Sequence, residues 1–357
     1  MKKEHRFPYE WTLKDANFTK DKGTVFSCFA CGGGSTMGYK LAGFDVLGCN
    51  EIDPKMIEAY RTNHKPKFSY LEPIQTFKLR KDLPKELYNL DILDGSPPCS
   101  SFSMAGNREK DWGKEKKFRE GQVEQVLDNL FFDFIDLAKE LQPKVVVAEN
   151  VKGLLMGNAK DYVIRIYEEF EKAGYYCQHW LINSKNLGVP QKRERVFFVA
   201  LRKDISKKFL IQKDMFTFSP ILNLEFTEKE ILFNSVCDYS DNKDSLSKLD
   251  GELWDKRQIG DIDLSDVSVR ERGVLSRFNA KFLYDNKVSN TITAGEQCVL
   301  FNIKRNRNKI ELLRCGSYPK DYNFIKLKPA YLIGMSVPPV MAAQIATEIY
   351  NQWISKL

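Results

Sequence analysis

The sequence predicts an α/β protein: a doubly wound, Rossmann-like, mostly parallel sheet with a second, smaller module. Three observations carry this. Strand-like apolar runs alternate with helical periodicity over about the first 200 residues. A glycine-rich turn, CGGGSTMG, lies between the first strand and the first helix. The run PKVVVAENV is continuously apolar and β-branched, as in a parallel strand covered on both faces.

The elements follow in order. TVFSCFA at 24–30 reads as a strand, and CGGGSTMGYKLAGF as a glycine loop opening a helix. DVLGCNEID is a second strand with an acidic end, and PKMIEAYRTNH a helix by its apolar spacing. YNLDILDGSPP is another strand, stopped by prolines that fix φ and remove backbone donors. The polar stretch from 100 to about 121 is too long for a routine connection and reads as a functional loop. VEQVLDNLFFDFIDLAKELQ and DYVIRIYEEFEKAGY have helical periodicity, whereas YYCQHWLIN and RVFFVALR read as strands. Periodicity weakens over 204–287. NTITAGEQCVLF then looks strand-like, and PPVMAAQIATEIYNQWISKL closes the chain as a helix that folds back onto the sheet. The predicted organisation is a catalytic domain at 1–203, completed by 288–357, with a small module at 204–287.

Composition narrows the class. The 357 residues are 43% hydrophobic and 12% aromatic, enough for a substantial core. No apolar run long enough to span a bilayer is expected, and MKKEHRFPYEWTLKD has no signal-peptide core. Eight cysteines lie scattered, with a single CxxC at Cys28 and Cys31, so neither a zinc ribbon nor another metal site is predicted. Free thiols in a reducing cytoplasm are the expectation. A net charge of +7 permits nucleic-acid binding without requiring it.

The glycine turn lets a ligand approach the backbone, and a helix N-terminus beside it offers free N–H groups. About 20 residues on, the second strand ends in NEID, where an acid would hold ribose hydroxyls. Glu51 fits that role, with Asp53 as the alternative. No arginine stands there for a 2′-phosphate. The cofactor is therefore of nucleoside type: NAD, FAD or S-adenosylmethionine. GSPPCSSFS sets a lone thiol, Cys99, on a stiff loop at a strand's carboxyl end, where α/β proteins bind ligands. A small buried hydrophobe is the ordinary fate of such a cysteine.

Taken together, five stretches in order resemble the DNA (cytosine-5) methyltransferases. They are FACGGG with LAGFDVLGCNEID, GSPPCSSFS, AENVKGL, QKRERVFFVALR and IGMSVPP, covering about 24–202 and 288–350. The resemblance implies S-adenosyl-L-methionine as cofactor, S-adenosyl-L-homocysteine as product and double-stranded DNA as partner; a cytoplasmic location follows from the lack of a signal sequence, and a monomer from the C-terminal helix folding back onto the sheet. It implies Cys99 as the nucleophile that adds to cytosine C6, because C5 alone is too poor a nucleophile to take a methyl group. Glu149, carrying a proton, would stabilise N3. Asn150 would shape the pocket, and Arg195, with Arg193, would hold the base O2 or a phosphate. On the cofactor side it implies Phe29, Cys31, Gly33 and Gly34 in the loop, Glu51 and Ile52 at ribose and adenine, Leu130 on adenine, and Pro98 near the sulfonium. Ser336 and Val337 would close that site.

The pattern departs in four places. Cys31 stands for a glycine, Ser100 for a glutamine, and Met335 for an asparagine. Glu72, Pro73 and Ile74 replace the usual Asp-Ile, which leaves Ile74 as an adenine-side contact and the partner of the adenine amine open. None removes a group the chemistry requires. A duplex cytosine must be flipped out to react; the 100–121 loop would close over it. The 204–287 module, with Arg257, Arg270, Arg272 and Arg277, would read the target in the major groove. A tRNA cytosine-5 methyltransferase and a catalytically silent DNA-binding relative are the competing readings. A flavin or nicotinamide oxidoreductase would leave GSPPCS and QKRER unexplained.

Overall fold

The structure is a computed structural model, which describes residues 4–98, 115–116, 125–126, 129–156, 159–212, 218–278, 280–295 and 297–357. The chain divides into two compact units, Asn17–Asn183 with Glu194–Phe226 and Met341–Leu357, and Met1–Ala16 with Ser184–Arg193 and Thr227–Val340. The predicted module at 204–287 is thus shared between them, 204–226 lying in the first and 227–287 in the second.

The first unit is built on a seven-stranded sheet. Its strands are β1 (Thr24–Cys28), β2 (Asp45–Glu51), β3 (Phe68–Leu71), β4 (Ile92–Gly95), β5 (Val145–Val151), β6 (Tyr175–Asn183) and β7 (Glu194–Arg202), in the order β3-β2-β1-β4-β5-β7-β6. The first five run parallel, and β7 pairs antiparallel with both β5 and β6. The sheet is therefore doubly wound and mostly parallel. The order reverses between β1 and β4, and ligands of such sheets bind at the carboxyl ends beside that point.

The helices follow from their punctuation. α1 (Gly34–Leu41) opens directly from the glycine turn. α2 (Pro54–His64) has Asp53 as N-cap, its carboxylate accepting from the Lys55 and Met56 amides, and proline at its first position. α3 (Leu130–Leu141) buries Leu130, Phe131, Phe134, Ile135, Leu137, Ala138 and Leu141 along one side. It starts later than its apolar spacing suggested, since Gln125–Val126 are extended. α4 (Lys160–Lys172) buries Tyr162, Val163, Ile166 and Phe170. A two-stranded ribbon, β8 (Leu210–Gln212) and β9 (Phe218–Pro220), follows the sheet. The C-terminal helix, Pro339–Gln352, packs back as predicted: Tyr350 meets Phe44 edge on, and the Trp353 indole beyond it donates to the Ile221 carbonyl.

The second unit packs α5 (Lys248–Asp255) and α6 (Leu264–Arg272) around Leu253, Leu264, Val267, Ala280, Phe282 and Val299. A short parallel ladder joins β10 (Phe282–Leu283) to β11 (Val299–Leu300). α7 (Lys309–Cys315) and α8 (Pro329–Met335) complete it. Among the described residues of the predicted strand over 290–301, only Val299–Leu300 form one. One apolar stretch, Pro329–Lys356, does have the length and composition to cross a membrane, contrary to the sequence expectation. It is mostly buried inside the protein and is broken at residues 336–338, as a core segment would be.

Candidate active site

The carboxyl ends of β1, β2, β4 and β5 bring the predicted residues of the first unit together. β1 ends at Cys28, and Phe29 and Cys31 then adopt left-handed backbone at φ 51° and 47°. Gly33 follows at φ 87°, the N-cap of α1. The chain thus turns sharply, and the first amides of α1 have no partner within the helix.

Glu51 organises this turn. Its carboxylate accepts from the Cys31 amide at 2.7 Å, the Ile52 amide at 2.9 Å and the Asp53 amide at 2.8 Å. Burial pushes its pKa up, and the three amides oppose that. Asp53, the alternative acid, is occupied as the cap of α2. Ile74 is buried at the start of a single helical turn, and Leu130 is buried at the start of α3. The Phe29 ring meets Phe134 of α3 edge on. A carboxylate with lone pairs to spare, apolar walls and open helix amides make a donor set suited to a nucleoside-bearing cofactor.

β4 carries the proline loop. Gly95 ends it against Phe134, where a Cβ would lie 2.6 Å from the ring. The Asn150 side-chain amide, buried at the end of β5, donates to the Pro97 carbonyl at 3.2 Å. Its own carbonyl oxygen accepts the Val151 amide. Pro97 is buried and Pro98 half-buried. Cys99, Ser100 and the predicted 100–121 loop lie outside the described residues, apart from the extended pair Glu115–Lys116.

Beside that loop, Glu149 and Arg195 form an ion pair, Nε to Oε1 at 2.9 Å. The antiparallel register sets Val151 opposite Arg195 and Glu149 opposite Phe197. Glu149 and Arg195 therefore share one face as diagonal neighbours. Arg195 also donates to the Glu194 carbonyl. Burial lowers its pKa, and Glu149 pulls it back up. Arg193 has a different setting. It lies in the second unit, buried, and its guanidinium donates to the carbonyls of Ile292 at 3.1 Å and Gly334 at 2.9 Å. In the same unit Ser336 and Val337 are buried, and the Ser336 hydroxyl donates to the Leu332 carbonyl.

The sequence reading missed Asp94. This buried carboxylate accepts from the Ser27 hydroxyl at 3.0 Å and the Tyr39 hydroxyl at 3.1 Å, tying β4 to β1 and α1. Desolvation pushes its pKa up to about 7. The only hint was an acid inside an otherwise apolar strand, LDILDG.

The four arginines marked for DNA reading are all engaged within the second unit. Arg270, Arg272 and Arg277 pair with Asp261, Glu252 and Asp250 at 2.8–3.0 Å. Arg257 stacks on the Trp254 ring and donates to the Phe301 carbonyl. Among the described residues no cluster of three metal-ligating side chains occurs.

A sheet in this order, with its antiparallel β7 and a glycine turn and acid at the ends of β1 and β2, defines the class I S-adenosylmethionine-dependent methyltransferase fold. A prophage-encoded putative DNA modification methyltransferase from E. coli superposes with a TM-score of 0.62 at 20% identity, covering 92% of this chain and 99% of that one. The DNMT2 of Spodoptera frugiperda superposes at 0.60 with 16% identity, covering 91% and 99%. In sequence, the chain is 34% identical to the type II methyltransferase M.FnuDI of Fusobacterium nucleatum over 91% of its own length and 93% of the relative's. M.NgoPII of Neisseria gonorrhoeae is 26% identical over 91% and 94%. The family model for C-5 cytosine-specific DNA methylases matches residues 23–351. The chain belongs to that family.

Proposed function

We propose that this protein transfers a methyl group from S-adenosyl-L-methionine to C5 of a cytosine flipped out of a specific duplex DNA sequence. One observation carries the reading: the largely shielded Glu149–Arg195 pair, where the carboxyl end of β5 meets the amino end of the antiparallel β7, beside a proline loop that Asn150 holds by its backbone. A carboxyl and a guanidinium suit the N3 and O2 edge of cytosine.

The cofactor, held by Glu51, Ile52, Ile74, Leu130 and the 29–34 turn, supplies an electrophilic methyl group. The Cys99 thiolate adds to C6 and makes C5 nucleophilic. Glu149 faces N3 as charge builds on the ring, and Arg195 holds O2. Methyl transfer to C5 would release S-adenosyl-L-homocysteine; a base such as water would then take the C5 proton, the C–H electron pair would re-form the C5–C6 double bond, and Cys99 would leave C6 as the thiolate. The segment 204–287 serves target recognition. The arginine pairs there with Asp261, Glu252 and Asp250 either open on DNA or orient the guanidinium groups toward it. The enzyme acts as a cytoplasmic monomer.

The test uses radiolabelled S-adenosylmethionine with genomic DNA and, separately, bulk tRNA. The expected result is label in DNA as 5-methylcytosine with the wild type and none with Cys99→Ser. Label in tRNA alone would move the assignment to an RNA substrate, and no transfer to either would refute the reading.

A further inference from the structure

Two side chains at the end of α2 reach the glycine turn. Tyr60 and His64 are four residues apart and so share a helix face, their rings meeting edge on at 4.7 Å. The Tyr60 hydroxyl hydrogen-bonds the Thr36 hydroxyl at 2.9 Å. His64 Nε2 lies 3.2 Å from the Gly32 carbonyl oxygen. A carbonyl only accepts, so Nε2 carries the hydrogen. Burial drives the ring's pKa down to about 3, which keeps it neutral at any working pH. The same ring walls off Gly33, where a Cβ would lie 2.2 Å from Nε2.

From this geometry we infer that His64 is a positioning residue: from the end of α2 it sets the conformation of the 31–36 turn, and through it the affinity for S-adenosylmethionine. The second half rests on the methyltransferase reading above. The amides at the start of α1 have no partner within the helix, and their direction follows from the Gly32–Gly33 peptide, whose carbonyl His64 holds. His64 touches no reacting atom, so its removal should weaken cofactor binding rather than slow the chemistry.

The experiment compares wild type with His64→Phe, which keeps a ring but loses the N–H, and His64→Gln, which keeps a donor. For Phe the KM for S-adenosylmethionine should rise about tenfold, with kcat and the KM for DNA nearly unchanged. Gln should recover most of the loss. Hydrogen exchange without cofactor should show the Gly33 and Met37 amides, which bond the Ala30 and Gly33 carbonyls, deprotected in the Phe protein only. An unchanged KM for S-adenosylmethionine in a folded His64→Phe protein would overturn the link to affinity, and unchanged exchange would overturn the positioning role. If the wild type binds no S-adenosylmethionine, the functional reading and the link to affinity both fall, while the exchange comparison still decides whether His64 holds the turn.

Discussion

Arg195 Nε lies 2.9 Å from Glu149 Oε1, and both side chains are largely shielded from water. Their pairing joins two strand ends through one charge-assisted hydrogen bond. Glu149→Gln removes the acid and keeps the shape, and kcat for methyl transfer should fall about 10²–10⁴-fold. Arg195→Ala also strands a buried carboxylate, and a loss of at least about 10²-fold is expected. Retention of near-wild-type kcat by either variant in the label-transfer assay would remove the pair from the mechanism.

In the proposed reaction Asn150 serves by holding the proline loop, not by touching the base. Its amide holds the Pro97 carbonyl, two residues before Cys99. Asn150→Ala should lower kcat about five- to tenfold, the worth of one buried hydrogen bond, and leave the KM for S-adenosylmethionine unchanged. Asn150→Asp keeps the acceptor for the Val151 amide but sets a carboxylate against a carbonyl, so it should be worse than alanine. Steady-state kinetics varying each substrate in turn would show this split.

Much of the site was legible because its signals are local. The distance from CGGG to NEID marked Glu51, and β-branched runs marked the buried strands. Spacing gave no hint that Glu51 binds the Cys31 amide, because that bond depends on the left-handed turn. Asp53 is occupied because it caps α2 ahead of Pro54, a pairing that the sequence reading did not use. Arg193 and Arg195 look like one strand face, but β7 begins at Glu194, so alternation does not extend to 193. Over 290–301, β propensity misled. The Ile292 amide donates to the Gln191 side chain and Thr291 bonds the Lys192 carbonyl, so side chains satisfy backbone groups that a ladder would use.

In the second unit, Arg305 and Glu311 are a buried pair with almost no exposure. Two guanidinium nitrogens meet the two carboxylate oxygens at 2.7 and 2.9 Å. Arg305 also donates to the carbonyls of Asp238, Asp241 and Asn306, and Glu311 caps α7. Arg305→Met would leave a buried carboxylate and several carbonyls without their donor. A loss of about 3–5 kcal/mol in unfolding free energy is expected by urea titration. A loss below about 1 kcal/mol would mean that water reaches Glu311 and that the pair is less enclosed than it looks.

Asp94 should make stability depend on pH near neutrality. Its folded pKa, about 7, lies above the value of about 3.9 for an unfolded aspartate. Between these values the folded state binds more protons than the unfolded one, so unfolding free energy falls as pH rises. The contribution is fully present below about pH 4 and is lost by the time pH has passed 7. Burial leaves Ser27, Tyr39 and the neighbouring charge of Glu149 as the groups that set it. Asp94→Asn removes the ionisation, and the Ser27 or Tyr39 hydroxyl can rotate to accept from the amide. The melting temperature of the variant should therefore gain on the wild type as pH goes from 5 to 8, by the equivalent of about 2–4 kcal/mol. Thermal denaturation of both proteins across that range decides it: parallel curves would mean that Asp94 stays ionised throughout, its charge held by the two hydroxyls alone.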